Sequence, residues 1–122
     1  VRPNSTREKR MQVMDNWYRE YLKIEISKLI DKWESKIGVK VSEFRIKKMK
    51  TRWGSCNINK KRIWLNLELA KKPFECLEYV VIHEMVHLLE AKHNNRFYIL
   101  LDKFYPRWKH SSDLLKLLPI SP

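Results

Sequence analysis

Glycine and cysteine are both scarce in this chain, with two of each among 122 residues, beside five prolines. So little glycine and proline excludes collagen-like, low-complexity and linker-rich material. Cys56 and Cys76 show no Cys-x-x-Cys spacing, which excludes a disulfide-stapled scaffold and a zinc ribbon and points to a reducing, cytoplasmic setting. No segment reaches the about 18 uninterrupted apolar residues that a bilayer span needs, and the opening Val1-Arg2-Pro3-Asn4-Ser5 has no apolar signal core. A membrane is not an expected partner.

Acidic residues are the other shortage. Asp and Glu number 14 against 26 Lys and Arg, a net charge of +12, which suits an anionic partner such as nucleic acid, phosphate or an acidic protein. What the chain does have is apolar material, 43% of its residues and five tryptophans among them, enough for one core and unlike a disordered chain. We expect a single domain over residues 1–122, frayed over 1–8, with no internal repeat.

Met11, Met14, Trp17, Tyr18, Tyr21, Leu22, Ile26, Leu29, Ile30 and Trp33 recur at three- and four-residue spacing, which predicts a long amphipathic helix stopping at Gly38. Val39/Val41 and then Phe44/Ile46 alternate with polar residues as in a half-buried strand, with a phase change at Ser42-Glu43 that calls for a bulge or short break. A second strand is expected over 63–67, fed by a loop or hairpin over 57–62, in a small antiparallel sheet. Pro73 opens a helix over 74–89 that is apolar on almost every side and therefore buried. Another helix is expected from Asn94 or Asn95 to Tyr105, broken by Pro106, with a short last helix over 113–118.

The buried helix contains His83-Glu84-Met85-Val86-His87, an H-E-x-x-H pattern. Residues i and i+4 lie about 40° apart around a helix, so both imidazoles reach one metal ion. Glu84, about 100° from His83, stands beside that ion, where a carboxylate takes a proton from water instead of coordinating. Two surface histidines on an ordinary helix are the plainer alternative, but unpaired polar groups are costly on a helix this apolar. A catalytic zinc needs a third protein ligand, and His93 is the candidate. A straight helix would carry His93 about 15 Å beyond His83, so the chain must turn between 89 and 93, with Asn94-Asn95 supporting the turn and opening the next helix. Metzincins use the same offsets with a glycine at the bend. Here that position is Glu90, so a different turn is expected.

Four segments, Thr51-Arg52-Trp53-Gly54-Ser55-Cys56, Ile63-Trp64-Leu65-Asn66, Tyr79-Val80-Val81-Ile82-His83-Glu84-Met85-Val86-His87-Leu88 and His93-x-x-x-Phe97, make the chain resemble the YgjP-like family of predicted metal-dependent hydrolases. That family is similar to SprT-like and other zincin metallopeptidases. The resemblance implies an α+β, zincin-like fold: long N-terminal helix, small sheet, buried metal-binding helix, C-terminal helices. It also implies one zinc on His83, His87 and His93 and Glu84 as general base. Family members usually carry a β-rich segment before this region, so the chain is expected to be either the C-terminal part of a longer architecture or a shortened relative.

The remaining candidates are less specific. In the resemblance the 51–56 stretch lies near the metal, which lets Arg52 bind a substrate carboxylate or phosphate or a developing oxyanion; packing at the core's edge is the alternative. Gly54 allows a tight turn or a close backbone approach. Asn66 alternates with Leu65 and Leu67 and so faces away from them, either into a cleft where a strand edge holds an extended peptide or into solvent. Tyr98, Tyr105 and His110 are the downstream candidates for an oxyanion donor, His110 otherwise being a surface residue. The lysines of 47–50 and 60–62 are expected to be solvated surface, with phosphate binding as the alternative. The leading reading is a zinc hydrolase acting on peptides. Its rivals are a metal-dependent nucleotide or phosphoanhydride hydrolase, and a basic nucleic-acid-binding module with a structural zinc, for which Cys56 is the one obvious fourth ligand.

Overall fold

A computed structural model describes residues 3–117 of the chain. Helix α1 (Pro3–Ile37) is followed by strands β1 (Glu43–Lys47), β2 (Gly54–Asn57) and β3 (Arg62–Asn66), a 3-10 turn over Leu67–Lys71, and helices α2 (Phe74–Val86), α3 (Asn95–Phe104) and α4 (Trp108–Leu117). None of these helices is long and apolar enough to cross a membrane. The fold is α+β, as expected.

The second half of α1 buries Leu22, Ile26, Leu29, Ile30, Trp33 and Ile37, one stripe at helical spacing, against the core. The first half does not follow: Met11, Met14 and Trp17 are 55%, 48% and 60% exposed. Residues 3–8 are helical, not frayed. Gly38 ends α1 in the left-handed region, φ +82°, its N–H donating to the Glu34 carbonyl at 2.9 Å. This is the cap its position predicts.

The phase change in the first strand region is resolved by a break. Residues 39–42 lie outside β1, and the backbone there is held by Val41 N donating to Glu34 Oε2 (2.9 Å) and Ser42 N donating to the Lys61 carbonyl (2.8 Å). The expectation of an antiparallel sheet is corrected. The order is β1-β3-β2, with β1 parallel to β3 (Phe44 opposite Ile63, Ile46 opposite Leu65) and β2 antiparallel to β3 (Cys56 opposite Ile63). The chain from 48 to 53 carries β2 past β3 to the far edge, and Lys61, at φ 51°, turns the β2–β3 connection. Ile63 and Leu65 of the central strand are fully buried. Lys47, Lys48 and Lys50 of the first basic run and Lys60 and Lys61 of the second are exposed; Lys48 pairs with Asp15 at 3.0 Å, and the half-buried Arg62 pairs with Glu43.

Helix α2 is the centre of the molecule. Cys76, Leu77, Val80, Val81, Ile82, Met85 and Val86 are all buried, packed among α1, the sheet and the C-terminal helices. Pro73 is the residue before its first turn, and Cys76 N bonds back to the Pro73 carbonyl at 2.9 Å. The helix ends at Val86, three residues short of the expected 89, as Leu88 N and Leu89 N tighten onto the Met85 and Val86 carbonyls. Asn94 caps α3 as its position predicts, its side chain accepting from Phe97 N at 3.1 Å. Helix α4 starts earlier than expected, at Trp108, and Leu118, the last residue expected in it, lies outside the described residues.

Candidate metal centre

The early end of α2 brings three histidines together. His83 and His87 stand one turn apart with ring centroids at 5.0 Å. The turn after Val86 folds the chain back, so that His93 Nε2 lies 3.2 Å from His83 Nε2 and the His93 ring 4.6 Å from that of His87. One ring nitrogen from each histidine falls within 4.8 Å of the other two. Phe97, fully buried, forms the floor, its ring 4.9, 4.6 and 5.0 Å from those of His83, His87 and His93. Since Asn94 holds Phe97 N, one cap fixes both the exit of His93 from the turn and the floor beneath it.

These residues fit zinc. Two ligand nitrogens on one tetrahedral zinc sit about 3.3 Å apart, close to the 3.2 Å between His83 Nε2 and His93 Nε2. Coordination needs neutral imidazole. Burial, with His87 and His93 beside it, holds His83 down at about 3, and burial lowers His87 as well. Cys56, on the cavity wall, is not part of the cluster. Its thiol is pushed up to about 11 by burial and by Glu84, which disfavours the thiolate that zinc takes. The set is three histidines with room for a further ligand, the pattern of a catalytic site and not of a closed structural one.

His83, Glu84, His87, His93 and Arg52 border one cavity of about 630 Å³. Glu84 is 6% exposed, and burial pushes its carboxyl up to about 8, against the pull of the Arg52 guanidinium. Strand β2 comes very close to it. A Cβ on Gly54 would stand 2.8 Å from Val80 Cγ1 and 3.0 Å from Glu84 Oε2, so of the two uses open to this glycine the close approach is the one realised. Gly54→Ala is expected to displace the carboxylate, lowering stability by about 1–3 kcal/mol through overpacking and reducing turnover with zinc content unchanged. Thermal melts, metal analysis and peptide-cleavage rates on the variant check this.

Asn66 is a correction. It is fully buried and faces neither cleft nor solvent: its Nδ2 donates to the Met49 and Arg52 carbonyls at 2.9 and 2.8 Å, and its Oδ1 accepts from Glu68 N at 3.0 Å. An asparagine on the central strand therefore anchors the loop that carries Arg52. The free strand edge that borders the cavity belongs to β2. Tyr98, Tyr105 and His110 do not border it; Tyr105 bonds Ser111 at 3.1 Å, and His110 is an exposed residue 3.5 Å from Glu75. The phenol that does border it is Tyr79. Its sequence signal was its place one turn before His83 on the same helix face.

Residues 1–117 match the family model described as YgjP-like, metallopeptidase domain. The chain belongs to the YgjP-like family. It is thus a zinc-dependent metallopeptidase of that family. A comparison with curated proteins gives no match. Among solved structures the YgjP-like chain is similar to the zymogen of the metallopeptidase abylysin from Pyrococcus abyssi, with 22% identity, TM-score 0.68, and coverage of 80% of this chain and 99% of that one. It is also similar to the zymogen of jannalysin from Methanocaldococcus jannaschii, with 23% identity, TM-score 0.61, and coverage of 76% and 91%. At these identities the likeness is one of fold.

Proposed function

We propose that His83, His87 and His93 hold the zinc, and that Glu84 is the general base of peptide-bond hydrolysis. The observation that carries this is the convergence of three ring nitrogens on the cavity that a buried carboxylate also borders. Zinc, when bound, lowers the pKa of water to about 7 and polarises a carbonyl. Its positive charge also favours the ionised carboxylate next to it. Glu84 then accepts the proton of the attacking water at a carboxylate oxygen and returns it to the leaving amine nitrogen. Gly54 and Val80 confine the carboxylate while it does so.

A peptide suits the cavity better than a nucleotide. The wall formed by β2 is a sheet edge with unpaired backbone groups, to which an extended peptide adds as a further strand. The reading as a nucleic-acid module with structural zinc is weakened because its fourth ligand, Cys56, stands outside the cluster. Both cysteines are free thiols, in keeping with a cytoplasmic location.

Arg52 is the proposed substrate-binding residue. Its backbone is fixed by Asn66 while its guanidinium is exposed at the cavity, placed to take a substrate carboxylate or a developing oxyanion. Arg52→Lys keeps the charge and loses the planar fork. A hydrogen bond to a charged group contributes about 1.5–3 kcal/mol, so turnover should fall about 10–100-fold with the melting temperature unchanged. A fall in melting temperature at constant turnover would favour a packing role for Arg52. The proposed function as a whole is tested by assaying the zinc-loaded protein on a peptide library and on nucleoside triphosphates. Cleavage of the nucleotides alone would overturn the peptidase reading.

A further inference from the structure

One turn before the first histidine, α2 carries a phenol. Tyr79 is 9% exposed, its hydroxyl oxygen lies 3.4 Å from His83 Nδ1, and its ring meets the imidazole edge-on at 5.6 Å. Ser112 of α4 stands beside the same hydroxyl, on the wall of the same cavity. The other nitrogen of His83, Nε2, faces His93. A parallel arrangement holds His87, whose Nδ1 lies 3.2 Å from the Glu90 carbonyl oxygen. A carbonyl only accepts, so His87 Nδ1 carries the ring proton and its Nε2 is left with a free lone pair.

Resting on the zinc reading of the three histidines, we propose that Tyr79, steadied by Ser112, is a positioning residue that fixes the tautomer and orientation of His83. His83 Nδ1–H donates to the Tyr79 oxygen, and Nε2 is thereby kept unprotonated and turned toward the other two histidines. The consequence is that a metal ligand on α2 takes its orientation from α4, a helix that supplies none of the three histidines. Loss of such an outer partner lowers metal affinity about 10–100-fold in zinc sites.

The test uses the whole chain, stripped of metal and titrated with zinc against a chromophoric chelator, and separately loaded with cobalt for its visible spectrum. Tyr79→Phe keeps the ring and its packing, so the melting temperature of the metal-free protein should hold while zinc affinity falls about 10–100-fold and the cobalt bands shift. Ser112→Ala should weaken zinc less, and should add nothing to Tyr79→Phe, because without the phenol oxygen Ser112 has no route to His83. A merely structural tyrosine predicts the reverse: a lower melting temperature and unchanged metal affinity. Unchanged zinc affinity in either variant overturns the proposal, and Ser112→Ala, which leaves both rings in place, decides even if Tyr79→Phe does not fold. A wild-type chain that takes up no zinc overturns the metal reading itself, an outcome distinct from a zinc-binding wild type with indifferent variants.

Discussion

Glu84→Gln is expected to retain one equivalent of zinc and to lose peptide hydrolysis by about 10²–10⁴-fold, the contribution of a general base. The amide has nearly the shape of the carboxyl, so it fits the same space against Gly54 and Val80, but its oxygen is far too weak a base for water's proton. Glu84 is not one of the clustered ligand atoms, which is why metal content should hold. Zinc lost together with activity would mean that Glu84 is a ligand, and the three-histidine assignment would be wrong.

The same variant has a pH signature in the metal-free protein. Burial raises the Glu84 carboxyl from 4.5 to about 8, so between these values the folded chain binds a proton that the unfolded chain has released. The stabilisation is fully present below 4.5 and is lost as pH rises through about 8. Gln at this position never ionises. Metal-free Glu84→Gln should therefore match the wild type near pH 5 and exceed it at pH 9, by on the order of a few kcal/mol. Denaturant melts at the two pH values measure the difference, and equal stability at both would show that the carboxyl is not held in an apolar place.

What was legible in the sequence was local. The period of α2, the i, i+4 pair of histidines, the Gly38 stop and the Asn94 cap each depend on neighbours within a few residues, and each is found where the sequence put it. His93 was reachable because a helix cannot bring it back, so a turn had to. Contacts between distant residues were not legible. The parallel pairing of β1 with β3 leaves no mark on either strand, and β2, Gly-Ser-Cys-Asn, has no apolar alternation to announce it. Asn66 reads as an exposed strand residue because its partners, the carbonyls of Met49 and Arg52, are 17 and 14 positions away. The first half of α1 misled in the opposite sense: its apolar spacing continues past the point where the fold has anything to set against it. Tyr79, likewise, looks like one more core aromatic until α4 brings Ser112 to it.

His93→Ala should abolish zinc binding while leaving the fold intact, and it is the sharpest separation of site from scaffold that the molecule offers. Removing a single outer partner of a zinc ligand costs about 10–100-fold in affinity; removing one of three ligands should cost more than that and take the stoichiometry from one equivalent to none at micromolar protein. His93 is exposed, sits in the turn between α2 and α3, and meets the Phe97 ring edge-to-face at 5.0 Å. Truncating it opens no core cavity, and Asn94 still caps α3. The metal-free melting temperature should therefore match that of the wild type, whereas the zinc-induced rise in melting temperature, which follows from binding to the folded state alone, should disappear. His83→Ala would be a poorer test, because His83 lies on α2 against Tyr79 and Phe97 and its loss would disturb their packing too. Retention of one zinc by His93→Ala, confirmed by metal analysis after gel filtration, would mean that the third ligand lies elsewhere and that the 3.2 Å approach of His93 to His83 is an ordinary imidazole contact.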